Sequence, residues 1–241
     1  MAGTDGERRV VAVLMSDIAG STAIGETLGP ERSKYLFDEV MRLMAAEVER
    51  YGGTVAQLAG DGLLALFGAP VAHEDDSERA VRAGVGIQRA LERYGADVRE
   101  AYGIEIRARI AVNTGPVVVA PGEGDASDRY NALGDTVNVT ARLQGLADAG
   151  AVLLGPQTAV QVRSSFELEE LGPTTLRGRS EPIDRYRVLR ETETGPTAQE
   201  GALVGRDGEL ALVRDALDRL ADGIGSIVAV TGEAGIGKSR L

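Results

Sequence analysis

Two aspartates at strand ends constrain this 241-residue chain more than any other feature. Asp17 follows the apolar run Val10-Val11-Ala12-Val13-Leu14-Met15 and opens the loop Asp17-Ile18-Ala19-Gly20-Ser21-Thr22. Asp61 lies in Leu58-Ala59-Gly60-Asp61-Gly62-Leu63, a Gly-Asp-Gly turn between two strand-like segments. Each acid is therefore expected where a strand runs out, among small residues that let something bulky approach the backbone. Two carboxylates on rigid strand ends suit a hard divalent cation such as Mg²⁺. That ion takes one or two carboxylates and completes its shell with phosphate oxygens. Phosphate chemistry is the function class this pattern puts first.

Around the acids, hydrophobic periodicity outlines alternating strands and helices. Residues 10–16 read as a buried strand, and Leu36, Val40, Leu43, Met44 and Val48 give helical spacing between Glu31 and Arg50. Residues 54–59 and 63–67 form a hairpin around Asp61, followed by a helix from Ser77 to Tyr94 with Asp75 and Asp76 placed to cap it. Ile104 to Val112 alternates as a strand, and Asn113-Thr114-Gly115-Pro116 is expected to turn the chain into Val117-Val118-Val119. Asp135 reads as the N-cap of a helix over Thr136 to Leu146; a short strand, a short helix and two further strands end near Leu189. The pattern predicts an α/β or α+β sheet with packed helices over residues 8–190. Residues 191–202 read as a polar linker, and 203–241 as the opening of a second module, with an amphipathic helix from Glu209 to Leu220 and a strand at 226–230.

Composition narrows the function classes. A formal charge of −11 argues against a general nucleic-acid surface, which needs a basic footprint, but not against a nucleotide substrate. With no cysteine there is no disulfide, thiolate zinc site or catalytic thiol, in keeping with a cytoplasmic protein. No run of about 18 apolar residues marks a membrane span, and the polar N-terminus does not read as a signal peptide. His73, the only histidine, lies in a helix-start loop and is given no role.

The third constellation is Asn138 and Arg142, four apart on one helix face. An amide beside a guanidinium can orient a ribose and neutralise a phosphoryl group, although such a pair also fits a solvated face. Arg177 and Arg179 occupy another turn-like site, Leu176-Arg177-Gly178-Arg179. Taken together, four blocks in order resemble the class III nucleotidyl cyclase catalytic domain: Ser16 to Thr22, Leu58 to Gly68, Arg129 to Leu143 and Leu176 to Ile183.

The resemblance implies a ferredoxin-like sheet and a head-to-tail homodimer with its sites at the interface. It implies that Asp17 and Asp61, helped by the Ile18 carbonyl, hold two Mg²⁺ or Mn²⁺ ions per site. Arg142 would be the transition-state cation and Asn138 the ribose-orienting amide, both from the opposite subunit. Arg179, or Arg177 with a shifted register, would bind the terminal phosphates. The expected reaction is conversion of ATP to 3′,5′-cyclic AMP and pyrophosphate, since the chain is most similar to the soluble, ATPase-linked adenylate cyclases.

Two positions depart from the family pattern. Gln57 stands where a base-reading Lys is usual, and Asn131 where a base-reading Asp is usual. Amides both donate and accept, so this pair can read either purine, which admits GTP as a substrate and predicts weak nucleotide affinity. A non-catalytic nucleotide-binding dimer that regulates an attached NTPase is the competing reading. Separately, Gly232-Glu233-Ala234-Gly235-Ile236-Gly237-Lys238-Ser239 fits the P-loop pattern. Its backbone at Gly232, Gly235 and Gly237 would cradle phosphates, with Lys238 on the β- and γ-phosphates and Ser239 on Mg²⁺.

Overall fold

The computed structural model describes residues 6–122, 130–176, 181–192, 205–221, 223, 225 and 227–231. Cα packing separates two compact units, Met1–Glu193 and Thr194–Leu241.

The first unit begins β1 (Glu7–Ile18), α1 (Ser21–Arg50), β2 (Thr54–Ala59), β3 (Gly62–Phe67), α2 (Asp76–Tyr102), β4 (Ala108–Pro121). It continues with β5 (Tyr130–Leu133), α3 (Asp135–Gly145), β6 (Val152–Leu154), α4 (Pro156–Val162), β7 (Phe166–Thr174) and β8 (Ile183–Glu191). The strands pair in the order β2-β3-β1-β4-β6-β8-β7, with β5 attached to β4; β4–β6 is parallel and the other pairs are antiparallel. The opening βαββαβ segment, with its β2-β3-β1-β4 order, is the ferredoxin-like arrangement the sequence led us to expect.

Period-two alternation in β1 explains how one strand serves two cores. Ala12 and Leu14 face α1 and α2, joining Met44, Phe67, Ile87 and Ile110, while Val11 and Val13 face Leu66, Val117 and Val119 on the other side. Leu36, Val40, Met44 and Val48 are buried along one stripe of α1, as their spacing predicted. Each fully buried large side chain of this kind contributes about 1.5–3 kcal/mol. Gly84 lets α2 lie close on the sheet, since a Cβ there would meet Val152 at 3.3 Å and Ile110 at 3.4 Å.

Several local expectations are corrected. The helix at 31–50 has an additional N-terminal piece: α1 starts at Ser21 and is broken at Gly29, whose φ of 74° only glycine adopts easily, just before Pro30. α2 continues past Tyr94 to Tyr102, because Gly95 packs against Ile106 and the left-handed Gly103 provides the stop. Residues 113–116 make no turn. β4 runs straight through them, paired with β1 from Ala108 to Val119. Pro116 is tolerated because it lies between the β4 residues paired to β6 (110–112) and those paired to β5 (118–121). Asp75 and Asp76 do not cap α2 with their side chains: Asp75 pairs with Arg79 at 2.7 Å, and Asp76 accepts the His73 backbone N–H at 2.8 Å. Gly134, not Asp135, is the N-cap of α3.

In the second unit, α5 (Asp207–Ala221) contains the predicted amphipathic helix. Residues 227–230 form no strand. Ile227 is 98% exposed, and no described segment pairs with it, so the ladder a strand requires is missing. The P-loop positions Gly232, Gly235, Gly237, Lys238 and Ser239 lie outside the described residues, as do Arg177 and Arg179.

Candidate active site

Asp17 sits one residue before the end of β1, where it is the register partner of Gly62 in β3 and of Arg109 in β4. Asp61 forms the turn into β3, and its carbonyl accepts the Ile18 N–H at 3.1 Å, which ties the two acid-bearing segments together. Gly60 supplies the positive φ of 60° that the turn needs. Gly62 lets the strands close up, because a Cβ there would lie 2.5 Å from the Ser16 carbonyl oxygen. The sequence thus builds the two acids onto adjacent strand ends through backbone hydrogen bonds, with the buried Ile18 side chain as anchor.

Their surroundings differ. Both oxygens of Asp17 accept from Arg109, Nε to Oδ1 at 3.1 Å and Nη2 to Oδ2 at 3.1 Å. The Asp61 carboxylate has no hydrogen-bond or ion-pair partner among the described residues. It lines a cleft of about 640 Å³ together with Gly60, Ser21, Thr22, Lys34 and Phe37. Among the described residues no three His, Cys, Asp or Glu side chains converge. An unpartnered carboxylate on an open cleft, tied through the backbone to a second acid, fits a cation that fills most of its shell from substrate oxygens, rather than a site closed by protein ligands.

The other candidates lie on β2, β5 and α3. A bulge in β2 between Val55 and Gln57 re-aims Gln57, which lines a cleft of about 180 Å³ with Met15, Leu63, Leu64 and Gln144. Asn131, paired to Ala120 across β4–β5, is exposed, and β2 and β5 touch. On α3, Asn138 is exposed and Arg142 half-buried; neither side chain has a partner among the described residues. Val139 and Leu143 anchor that helix, so Asn138 and Arg142 are displayed outward by the packing of their neighbours. Half-apolar walls with amides suit a purine, and an unpaired guanidinium suits a phosphoryl group.

Comparison with known proteins decides the family. Residues 5–189 match the family model for the adenylate and guanylate cyclase catalytic domain. The chain belongs to this family. Residues 202–241 match an AAA ATPase domain model. Adenylate cyclase 1 of Rhizobium meliloti is 31% identical over 80% of this chain, which spans 30% of that protein's length. Among solved structures, the adenylyl cyclase CyaB from P. aeruginosa superposes with a TM-score of 0.73 at 25% identity, covering 78% of this chain and 98% of CyaB. The guanylyl cyclase Cya2 gives the same TM-score at 29% identity, covering 78% of this chain and 96% of Cya2. The chain spans less than a third of such curated relatives, so it corresponds to one portion of proteins of that kind.

Sequence reasoning missed Arg109 and Gln144. Arg109 carried a readable signal: an arginine between Ala108 and Ile110 inside a buried strand needs a counter-charge. Gln144, whose Nε2 donates to the Arg109 carbonyl at 3.4 Å, carried none beyond its place on the α3 helix.

Proposed function

We propose that this cyclase domain is an adenylate cyclase, which forms 3′,5′-cyclic AMP and pyrophosphate from ATP in a head-to-tail homodimer. The observation that carries the reading is that one chain holds both sets of site residues, with Asn138 and Arg142 left without partners among the described residues. One set is the acids Asp17 and Asp61, the second of which lines a cleft; the other is Asn138 and Arg142 on α3, with Gln57 on β2 and Asn131 on β5. Two-fold assembly of one chain with these sets facing each other yields two complete sites.

Asp17, Asp61 and the Ile18 carbonyl would hold the divalent ions, Mg²⁺ or Mn²⁺. When bound, such ions make the ribose 3′-hydroxyl a better nucleophile and neutralise phosphate charge. The remaining work falls to this chain's own groups. Asn138 orients the ribose so that O3′ lies in line with the α-phosphorus, and Arg142 neutralises the charge that builds on the α-phosphoryl oxygens. Arg179, or Arg177, holds the terminal phosphates until pyrophosphate leaves. Gln57 and Asn131 read the base from a partly apolar cleft. Because both are amides without partners among the described residues, a dual-purine cyclase accepting GTP is the second reading. The attached C-terminal segment is read as a nucleotide-binding P-loop module following a linker at 191–202, in an intracellular signalling protein.

Trans-complementation tests the assembly and the chemistry together. Asp17→Asn and Arg142→Ala chains should each be inactive with Mn²⁺-ATP. A one-to-one mixture should recover about one quarter of wild-type cyclic AMP production, since half the dimers are mixed and each has one intact site. A mixture as inactive as its parents, in chains shown to exchange subunits, would sink the head-to-tail reading.

A further inference from the structure

Asp17 and Asp61 are unequal in a way that the family resemblance did not lead us to expect. Asp61 is unpaired among the described residues, whereas Asp17 has both oxygens taken by the Arg109 fork at 3.1 Å each. This pairing is written into the sheet register. Asp17 and Arg109 are direct partners across β1–β4, flanked by the rungs Ser16↔Ile110 and Ile18↔Ala108, all four of whose side chains are buried. One step further on, Ala19 N–H donates to the Arg107 carbonyl at 2.8 Å and closes the strand ends. The Gln144 amide reaches the Arg109 carbonyl at 3.4 Å. Neither strand end can move away without breaking buried packing, so the base of the Arg109 side chain stays opposite Asp17. The planar guanidinium fork matches both carboxylate oxygens at once, as an ammonium could not.

We propose that in the nucleotide-free protein Arg109 is the resident counter-ion of Asp17, orienting the carboxylate and lowering its affinity for divalent cations by competing for the same oxygens. The inference rests on the reading of Asp17 as a metal-binding acid. A cation arriving at Asp17 must share oxygens that already accept from the fork, and it then sits beside a resident positive charge. Both effects weaken binding relative to the carboxylate pair alone. Asp61 carries no such handicap and is the stronger landing point for a cation on the nucleotide-free protein. A purely structural pin would act in the opposite sense: its removal would loosen Asp17 and weaken metal binding.

The test is Mn²⁺ affinity of the nucleotide-free, full-length chain, read from the electron paramagnetic resonance signal of free Mn²⁺. Wild type, Arg109→Gln, Arg109→Lys, Asp17→Asn and the Arg109→Gln/Asp17→Asn double variant are compared. Arg109→Gln should tighten Mn²⁺ binding about tenfold or more, the equivalent of one charge-assisted hydrogen bond. Arg109→Lys, which keeps the charge and loses the fork, should fall between it and wild type. The double variant should return to the Asp17→Asn value, because the gain is exerted through that carboxylate. Affinity no tighter than wild type in Arg109→Gln and Arg109→Lys overturns the proposal; Arg109→Lys decides alone if the glutamine variant does not fold. If Asp17→Asn binds like wild type, the metal role of Asp17 falls and the proposal with it. If Asp17 matters while Arg109 does not, only the proposal falls.

Discussion

Gly62→Ala is the sharpest probe of how the two acids are held. The Cβ it adds would lie 2.5 Å from the Ser16 carbonyl oxygen and 3.3 Å from the Asp17 Cβ, so β1 and β3 must separate. Ordinary contact begins near 3.4 Å, and the obstacle is backbone rather than a flexible side chain, so the strands must part by somewhat less than 1 Å. Overpacking of this kind costs about 1–3 kcal/mol. In a domain of this size that lowers Tm by roughly 3–10 °C. The functional cost is larger in proportion, because a misplacement of about 1 Å at a reacting centre costs about 10²-fold in rate. Gly60→Ala is the control: its φ of 60° makes alanine strained, yet nothing lies within 4 Å of the added Cβ. The control should lose about 1–2 kcal/mol of stability but leave the strand spacing intact, keeping turnover within a few-fold of wild type. Both variants are assayed by thermal melts and by initial rates with Mn²⁺-ATP. Wild-type rates in Gly62→Ala, or equal rate losses in the two variants, would refute the claim that close strand approach positions the acids.

Two other outcomes follow from the site and its surroundings. Restoring the family's base-reading pair with Gln57→Lys and Asn131→Asp should raise kcat/KM for ATP about tenfold or more and widen the preference over GTP, because charged hydrogen bonds contribute about 1.5–3 kcal/mol. Unchanged ATP-to-GTP ratios in side-by-side initial rates would remove these residues from base recognition. Burial, partly offset by hydrogen bonds from His73, raises the Asp76 carboxyl above its ordinary 3.8. A raised acid contributes stability that is complete below the unfolded pKa and lost as pH rises through the folded one. Asp76→Asn keeps an oxygen acceptor for the His73 N–H, so its stability relative to wild type should grow as pH climbs through and above the ordinary aspartate range. A difference in denaturant midpoints that stays flat with pH contradicts the buried-acid account.

The sequence was legible where physical constraint is local. Asp17 and Asp61 stood out because an acid at the end of an apolar run, beside glycines, has few structural reasons to be there. The α1 stripe at Leu36, Val40, Met44 and Val48 was readable from spacing alone, since one helix face was to be buried. The errors fall where pairing across the chain overrode a local signal. Asn113-Thr114-Gly115-Pro116 has turn chemistry, yet continuous pairing of β4 with β1 keeps it extended. Asp75 and Asp76 have capping chemistry, but Arg79 and the His73 N–H claim their oxygens. Arg109 escaped notice because only the register tells which residue faces Asp17.

The outward display of Asn138, Asn131 and Gln57 also has a kinetic consequence. Under the proposed head-to-tail reading, a lone chain presents two incomplete halves and has nothing to close either one. Under the proposed assembly, output at low abundance grows with the square of chain concentration, whereas an enzyme with a self-contained site responds linearly. Each turnover then reports an encounter between copies. Anything that gathers chains together, such as a clustering neighbour module, acts as an activator without touching the chemistry, and anything that separates them acts as an inhibitor.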